Sequence, residues 1–222
     1  MTRKTILTNP EQKSLIASPQ RRKFLKLGVL TGATSAFALA ADKVMGASRP
    51  SREADVEILN GAIMLEQKAV NTYVAAAENN LLPTKAFLDV AVQFAADHTE
   101  HRDRLKDIIS GVFRVEPISS ENLGTFPIPA NVLNGSEADV LRYALTLEML
   151  ASKSYFDFIT DKLTSKGAKN VVASILPIEN QHVAVYRSVL LVLLNEPALP
   201  GDDKLVPYPF LSQQPTPPVP EA

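Results

Sequence analysis

The 222 residues contain no cysteine. Disulfides, cysteine-ligated zinc and iron–sulfur clusters are therefore excluded. The absence is compatible with an oxidising compartment without requiring one. Histidine is almost as scarce: His98, His101 and His182 are the full complement. The uncharged run that follows the N-terminal basic cluster, Leu27 to Ala41, is 15 residues, short of the ~20 a membrane-spanning helix needs. No stable transmembrane span is expected in the mature protein. Basic charge is confined as well. Residues 1–40 hold seven Lys/Arg against Glu11 alone, leaving sixteen basic and twenty-three acidic residues beyond, a net of −7. Phosphate contacts need clustered Lys/Arg, so no nucleic-acid partner is expected. There is no nucleophile–base pair and no glycine-rich phosphate loop.

What remains, 45% apolar and 21% charged, fits one globular domain with tails. Three regions are expected: 1–47 as signal region and linker, 53–195 as the folded body, and 196–222 as an extended tail with eight of the sixteen prolines. Gln20-Arg21-Arg22-Lys23-Phe24-Leu25-Lys26 closely resembles the twin-arginine export motif at six of seven positions; Gln20 stands where Ser or Thr is usual. A basic start, a short apolar core and the small residues of Ala38-Leu39-Ala40 complete a secretory signal. The resemblance implies a periplasmic or otherwise exported protein, delivered already folded.

In the body, apolar residues recur at spacings of three and four. The pattern predicts four helices: Ala54 to about Asn80, Thr84 to about Ser110, Ser136 to about Thr164, and Ala168 to about Asn195. Thr84 is a candidate cap, and Gly111 stands where a helix-ending glycine belongs. Ser136 is a second cap, with Asp139 three residues on. Pro177 should kink the last helix or reset its start, because proline lacks the backbone donor.

The body repeats itself. Leu65-Glu66, Tyr73, His98 and His101 correspond to Leu147-Glu148, Tyr155, Glu179 and His182, at an offset of about 82 residues. Each half is one helix hairpin. The long 112–135 connection can carry the chain across the bundle, giving an all-α four-helix bundle with one crossover.

Glu66, Glu148 and Glu179 lie within the apolar stripes. Glu66, for instance, has Ala62, Ile63, Ala69, Val70 and Tyr73 as its helical neighbours. An unpaired buried carboxylate costs several kcal/mol, so it neutralises, pairs or binds metal. Residues at i and i+3 share a helix face, so Glu179 and His182 reach one point, as do His98 and His101. Oxygen donors with imidazole suit iron or manganese, and zinc less selectively. Tyr73 and Tyr155 read as core residues with bonded hydroxyls, Met64 and Met149 as core filling, and Glu100 and Asp103 as solvated charges.

This pattern resembles the ferritin-like superfamily of di-iron and di-manganese carboxylate proteins, in which two helices each give a Glu and two each give Glu-x-x-His. Glu66 and Glu148 match the single carboxylates, Glu179 with His182 matches one Glu-x-x-His, and His101 matches the other histidine. With its signal, the chain looks most like exported ferritin-like proteins grouped with desiccation-related proteins. The resemblance implies a metal site of Glu66, His98, His101, Glu148, Glu179 and His182, holding one or two ions of Fe or Mn. The departure is His98, where the family has a Glu that bridges both metals. An imidazole cannot bridge as a carboxylate does. The shell carries −3 rather than −4, and Asp97 is a candidate replacement. Two ions held asymmetrically, one ion, or a site altered beyond redox use all remain open.

Two functions compete. One is a metal oxidoreductase, a ferroxidase or a peroxide consumer; the other is a non-catalytic protein of envelope or desiccation protection. Iron storage is disfavoured, because nothing in the sequence points to a cage. A homo-oligomer is compatible with the sequence.

Overall fold

The computed structural model describes residues 51–123, 126–206 and 208–215. The export motif and cleavage site lie outside the described residues. Five helices form the fold, with no β-strand among the described residues: α1 Arg52–Glu78, α2 Lys85–Ile108, a single turn α3 Ala130–Leu133, α4 Glu137–Asp157 and α5 Lys166–Ser188. The long helices pair as hairpins, α1 on α2 and α4 on α5, and the hairpins pack on one another. None of these helices is long and apolar enough to cross a membrane.

The helix starts show how the halves interlock. Ser51 caps α1 through the Ala54 amide at 3.0 Å. Ser136 and Asp139 form the reciprocal box expected at the start of α4. Thr84 does not cap α2. Its amide and hydroxyl instead donate to the Glu137 carboxylate, both at 2.8 Å. In the other half, Asp55 accepts from the Thr164 amide at 2.8 Å, the Thr164 hydroxyl at 3.1 Å and the Ser165 amide at 2.6 Å. Asp55 and Glu137 stand one repeat apart, so an acid in the first turn of each hairpin holds the turn of the other. Hydrogen bonds to an ionised acceptor are about twice as strong as neutral ones.

The ends of α2, α4 and α5 depart from expectation. Each widens into a last turn closed by an i→i+5 bond, over Ile109–Phe113, Phe158–Lys162 and Val189–Leu193. Gly111 lies inside the first of these, and the left-handed exit falls to Arg114, φ 54°. The Arg52 guanidinium supports this end by donating to the carbonyls of Val112, at 3.1 Å, and Phe113, at 2.5 Å. Pro177 does not reset α5, which runs through it. Pro177 and Ala173, the residue whose carbonyl loses its helical donor, are both exposed. Water can satisfy that carbonyl, which lowers the cost of proline there.

Beyond α5 the chain returns to the bundle. Ala198 and Leu199 are buried with the core. Arg187, fully buried, donates to the Asp202 carboxylate and, at 2.9 Å, to the Lys204 carbonyl.

Two hydrophobic clusters fill the bundle. One holds Tyr73, Phe94, Leu141, Leu145, Val183 and Tyr186; the other holds Ile58, Leu59, Leu105, Tyr155, Val172 and Ile175. They occupy opposite halves of every long helix. Between them lies a polar layer supplied by the middles of α1, α2, α4 and α5.

Candidate metal centre

The layer contains all six residues singled out above. Glu66 comes from α1, His98 and His101 from α2, Glu148 from α4, and Glu179 and His182 from α5. Five are buried to 2% exposure or less, and the His101 side chain to 12%. The apolar neighbours on each helix point to the core, and these polar side chains share that face.

His98 lies at the centre. Its Nδ1 is 2.7 Å from Glu66 Oε2 and its Nε2 is 3.1 Å from Glu148 Oε1, so the ring spans the single carboxylates of the two hairpins. His101 Nδ1 approaches Glu179 Oε1 at 2.9 Å and Glu66 Oε2 at 3.6 Å. His182 Nδ1 approaches Glu148 Oε2 at 3.2 Å and Glu179 Oε2 at 4.0 Å.

Two hydroxyls complete a near-symmetric frame. Tyr73 donates to Glu148 Oε1 and Tyr155 donates to Glu66 Oε1. Each tyrosine thus orients the carboxylate of the opposite hairpin, as the repeat requires. Burial, then the adjacent carboxylate charge, raises both phenols well above their ordinary range.

Asp97 does not join the donors around His101. Its Oδ2 sits 3.2 Å from His182 Nε2, and its Oδ1 accepts from Gln93 Nε2 at 2.9 Å. A carboxylate on the outer nitrogen of a ligating imidazole fixes the ring and its tautomer. That leaves His182 Nδ1 toward the centre. Phe94 stacks on the same ring, centroids 3.7 Å apart. From sequence Phe94 reads only as an inward-facing residue of the second helix, one turn before His98; sequence reasoning missed its stacking on His182. It also missed that Asp97 faces α5, which depends on how α2 and α5 cross.

Two overlapping groups of four place their donor atoms within 4.8 Å of one another: Glu66, His98, His101 and Glu179, and His98, Glu148, Glu179 and His182. Glu179 belongs to both. Both of its oxygens are buried and accept no well-aligned hydrogen bond; the nearest nitrogen, His101 Nδ1 at 2.9 Å from Oε1, lies out of line. Buried polar groups are otherwise almost always bonded. A mixed carboxylate–imidazole set with unused lone pairs fits a first-row divalent ion.

The electrostatics of the metal-free layer are uneven. For Glu66 burial opposes ionisation, but His98 and His101 outweigh it and hold the acid down at about 2. Glu148 is likewise held well below its ordinary range by His98 and His182 against the effect of burial. Burial, reinforced by Glu66 and Glu148, pushes Glu179 up to about 8. Burial would lower His98 and His101, but the surrounding carboxylates raise His98 well above its ordinary value and His101 to about 9.

A pH dependence follows. Glu66 stabilises the fold above its ordinary value of 4.5, and that contribution fades as pH falls toward 2. His101 contributes fully below 6.5 and loses its contribution as pH rises through 9. Glu179, favoured in its protonated form, contributes below 4.5 and loses that as pH rises through 8. Stability of chelator-treated protein should therefore fall between about pH 4.5 and 9, first through Glu179 and then through His101 as well. Metal replaces protons on these groups, so the gap between metal-loaded and metal-free protein should widen over the same range. Thermal unfolding with and without chelator measures both; a flat or rising metal-free curve contradicts the assignment.

Comparison with curated proteins finds no match, and comparison with solved structures finds none. The sequence profile of the ferritin-like domain does match, over residues 54–191, more than half of the chain and the whole of the polar layer. The helical bundle, the paired hairpins and the buried Glu/His layer agree with that match, and the chain belongs to the ferritin-like domain family.

Proposed function

We propose that this protein is exported and holds iron or manganese in the layer between its hairpins, where the metal supports oxidation of ferrous iron or consumption of peroxide. The observation that carries the reading is Glu179: a carboxylate common to both donor groups, buried, and without a well-aligned hydrogen bond. The bound ion would supply Lewis acidity and electron transfer. The chain's own residues do the rest. Tyr73 and Tyr155 hold Glu148 and Glu66 by their hydroxyls, and Asp97 orients His182. The two apolar clusters exclude bulk water from either end.

Protein loaded with iron or manganese should oxidise ferrous iron or remove hydrogen peroxide faster than free metal, and His182→Ala should abolish the gain. A second reading is non-catalytic protection of the envelope or of desiccated cells. It is favoured by His98, which can neutralise Glu66 and Glu148 without an ion. Metal retention with no rate above free metal supports that reading instead. Export is tested separately. Fractionation should find the protein outside the cytoplasm, and Arg21→Lys with Arg22→Lys should retain it inside.

A further inference from the structure

The two halves of the repeat wall the polar layer unequally. Four residues before His98 stands Phe94, and four beyond His182 stands Tyr186. The matching neighbours of Glu179 and His101 are Ile175 and Leu105. One side of the layer is therefore aromatic where the other is aliphatic, and the two pairs fall in opposite clusters. On the aromatic side five rings close a circuit. Tyr73 stacks on His98, centroids 5.6 Å apart, and on Tyr186 at 6.4 Å. Tyr186 meets Phe94 edge-on at 5.3 Å, Phe94 stacks on His182, and His182 returns to His98 at 5.2 Å. His101 stands beside the circuit, edge-on to His98 at 5.9 Å.

Tyr186 Oη is buried with no well-aligned hydrogen bond, so packing holds its ring. Part of that packing comes from the chain beyond α5. Ala198 and Leu199, both buried, belong to the cluster that contains Tyr73, Phe94 and Tyr186. The segment is fastened on either side of this contact. Arg142 holds the Glu196 carboxylate and the Pro197 carbonyl. A turn with Gly201 at φ 75° then closes through the Asp202 amide on the Leu199 carbonyl, at 3.0 Å, and brings Asp202 to Arg187, the neighbour of Tyr186 in the chain.

We propose that residues 196–204 are a positioning clamp. Fastened to Arg187 by Asp202, they hold the aromatic circuit in place, and through it the rings of His182 and His98 and, by the Tyr73 hydroxyl, Glu148. Glu66 is held from the other cluster, by Tyr155, so the Glu66–His101 side lies outside the reach of the clamp. A densely packed interior transmits such a constraint. Asp202→Asn leaves the buried Arg187 guanidinium without its counter-charge, a costly state that lifting the segment relieves by admitting water. Ala198 and Leu199 then withdraw from the cluster, and the rings lose their backing.

The chain has three histidines, so the imidazole C–H resonances of the metal-free protein, recorded at one pH, report each ring separately. In Asp202→Asn the His182 signals should lose the upfield shift that stacking on Phe94 imposes. Those of His98 should move as well, and those of His101 should stay in place. Manganese or ferrous iron, whichever wild type retains, should bind the variant about 10-fold more weakly, the low end of what loss of an outer-shell partner costs. That second measurement rests on the metal reading above; the resonances do not. Histidine signals that stay at their wild-type positions overturn the clamp, and so do three that move together, as in a general loosening. Unchanged metal affinity in a variant whose His182 has moved also overturns it. A wild-type protein that binds neither ion overturns the metal reading, and the resonances alone then decide the clamp. Should Asp202→Asn fail to fold, Gly201→Val keeps both charges, strains the turn at its positive φ and is read in the same way.

Discussion

Glu179→Gln is expected to abolish metal binding while leaving the metal-free fold at least as stable as wild type. Glu179 belongs to both donor groups, so neither keeps its full set without it. Loss of an outer-shell partner alone costs about 10–100-fold in metal affinity, and loss of a shared ligand should exceed the upper end of that range. In the metal-free protein the same residue is a liability. It is buried, accepts no well-aligned hydrogen bond, and is pushed up to about 8 by burial and its acidic neighbours. Glutamine reproduces the shape of the protonated acid and cannot ionise. Saturating metal at 100 times Kd stabilises a folded chain by about 2.7 kcal/mol, roughly 5–10 °C for a domain of this size. That increment should appear in wild type and vanish in Glu179→Gln. A variant that keeps the increment, or a metal-free variant that melts well below wild type, contradicts the assignment.

His98→Glu should do the reverse: weaken the metal-free protein and strengthen its dependence on metal. In the present chain His98 sits between Glu66 and Glu148 with one ring nitrogen toward each. The substitution removes the cation that holds both acids down and places a fourth carboxylate among three. Breaking a buried ion pair costs about 3–5 kcal/mol, so the metal-free melting temperature should drop on the order of 10 °C. The donor set would then carry −4, matched by two divalent ions. Manganese or ferrous iron should restore the melting temperature, with more metal retained per chain than in wild type. Metal-free His98→Glu protein as stable as wild type would show that His98 does not hold the layer together. Failure of metal to rescue it would show that the layer does not take ions.

The central layer was legible in the sequence because a repeat fixes more than a motif does. One histidine in a helix carries little information. Glu66 and Glu148 at matching depth, each followed by a tyrosine seven residues on, define where the facing histidines must come. The tyrosines proved to be crossed between hairpins, each bonded to the glutamate of the other. Other features depend on packing that local pattern does not encode. Thr84 has the composition of a cap, yet a carboxylate from the other hairpin lies closer and claims its hydroxyl. Asp97 is adjacent to His98 in the chain, but the helix turns it toward His182 on α5. The proline-rich segment after α5 carries few periodic apolar residues. Its attachment depends on Arg187 with Asp202 and the Lys204 carbonyl, on Arg142 with Glu196 and the Pro197 carbonyl, and on Ala198 and Leu199 entering the core.

The central claim is that buried acids and imidazoles from both hairpins are held together by bound cations. Elemental analysis of the protein, isolated from its native compartment and desalted, tests it most directly. Iron or manganese at one to two ions per chain, absent from Glu179→Gln prepared alongside, is the expected result. Wild-type protein that retains neither ion, both as isolated and after anaerobic reconstitution, would contradict it.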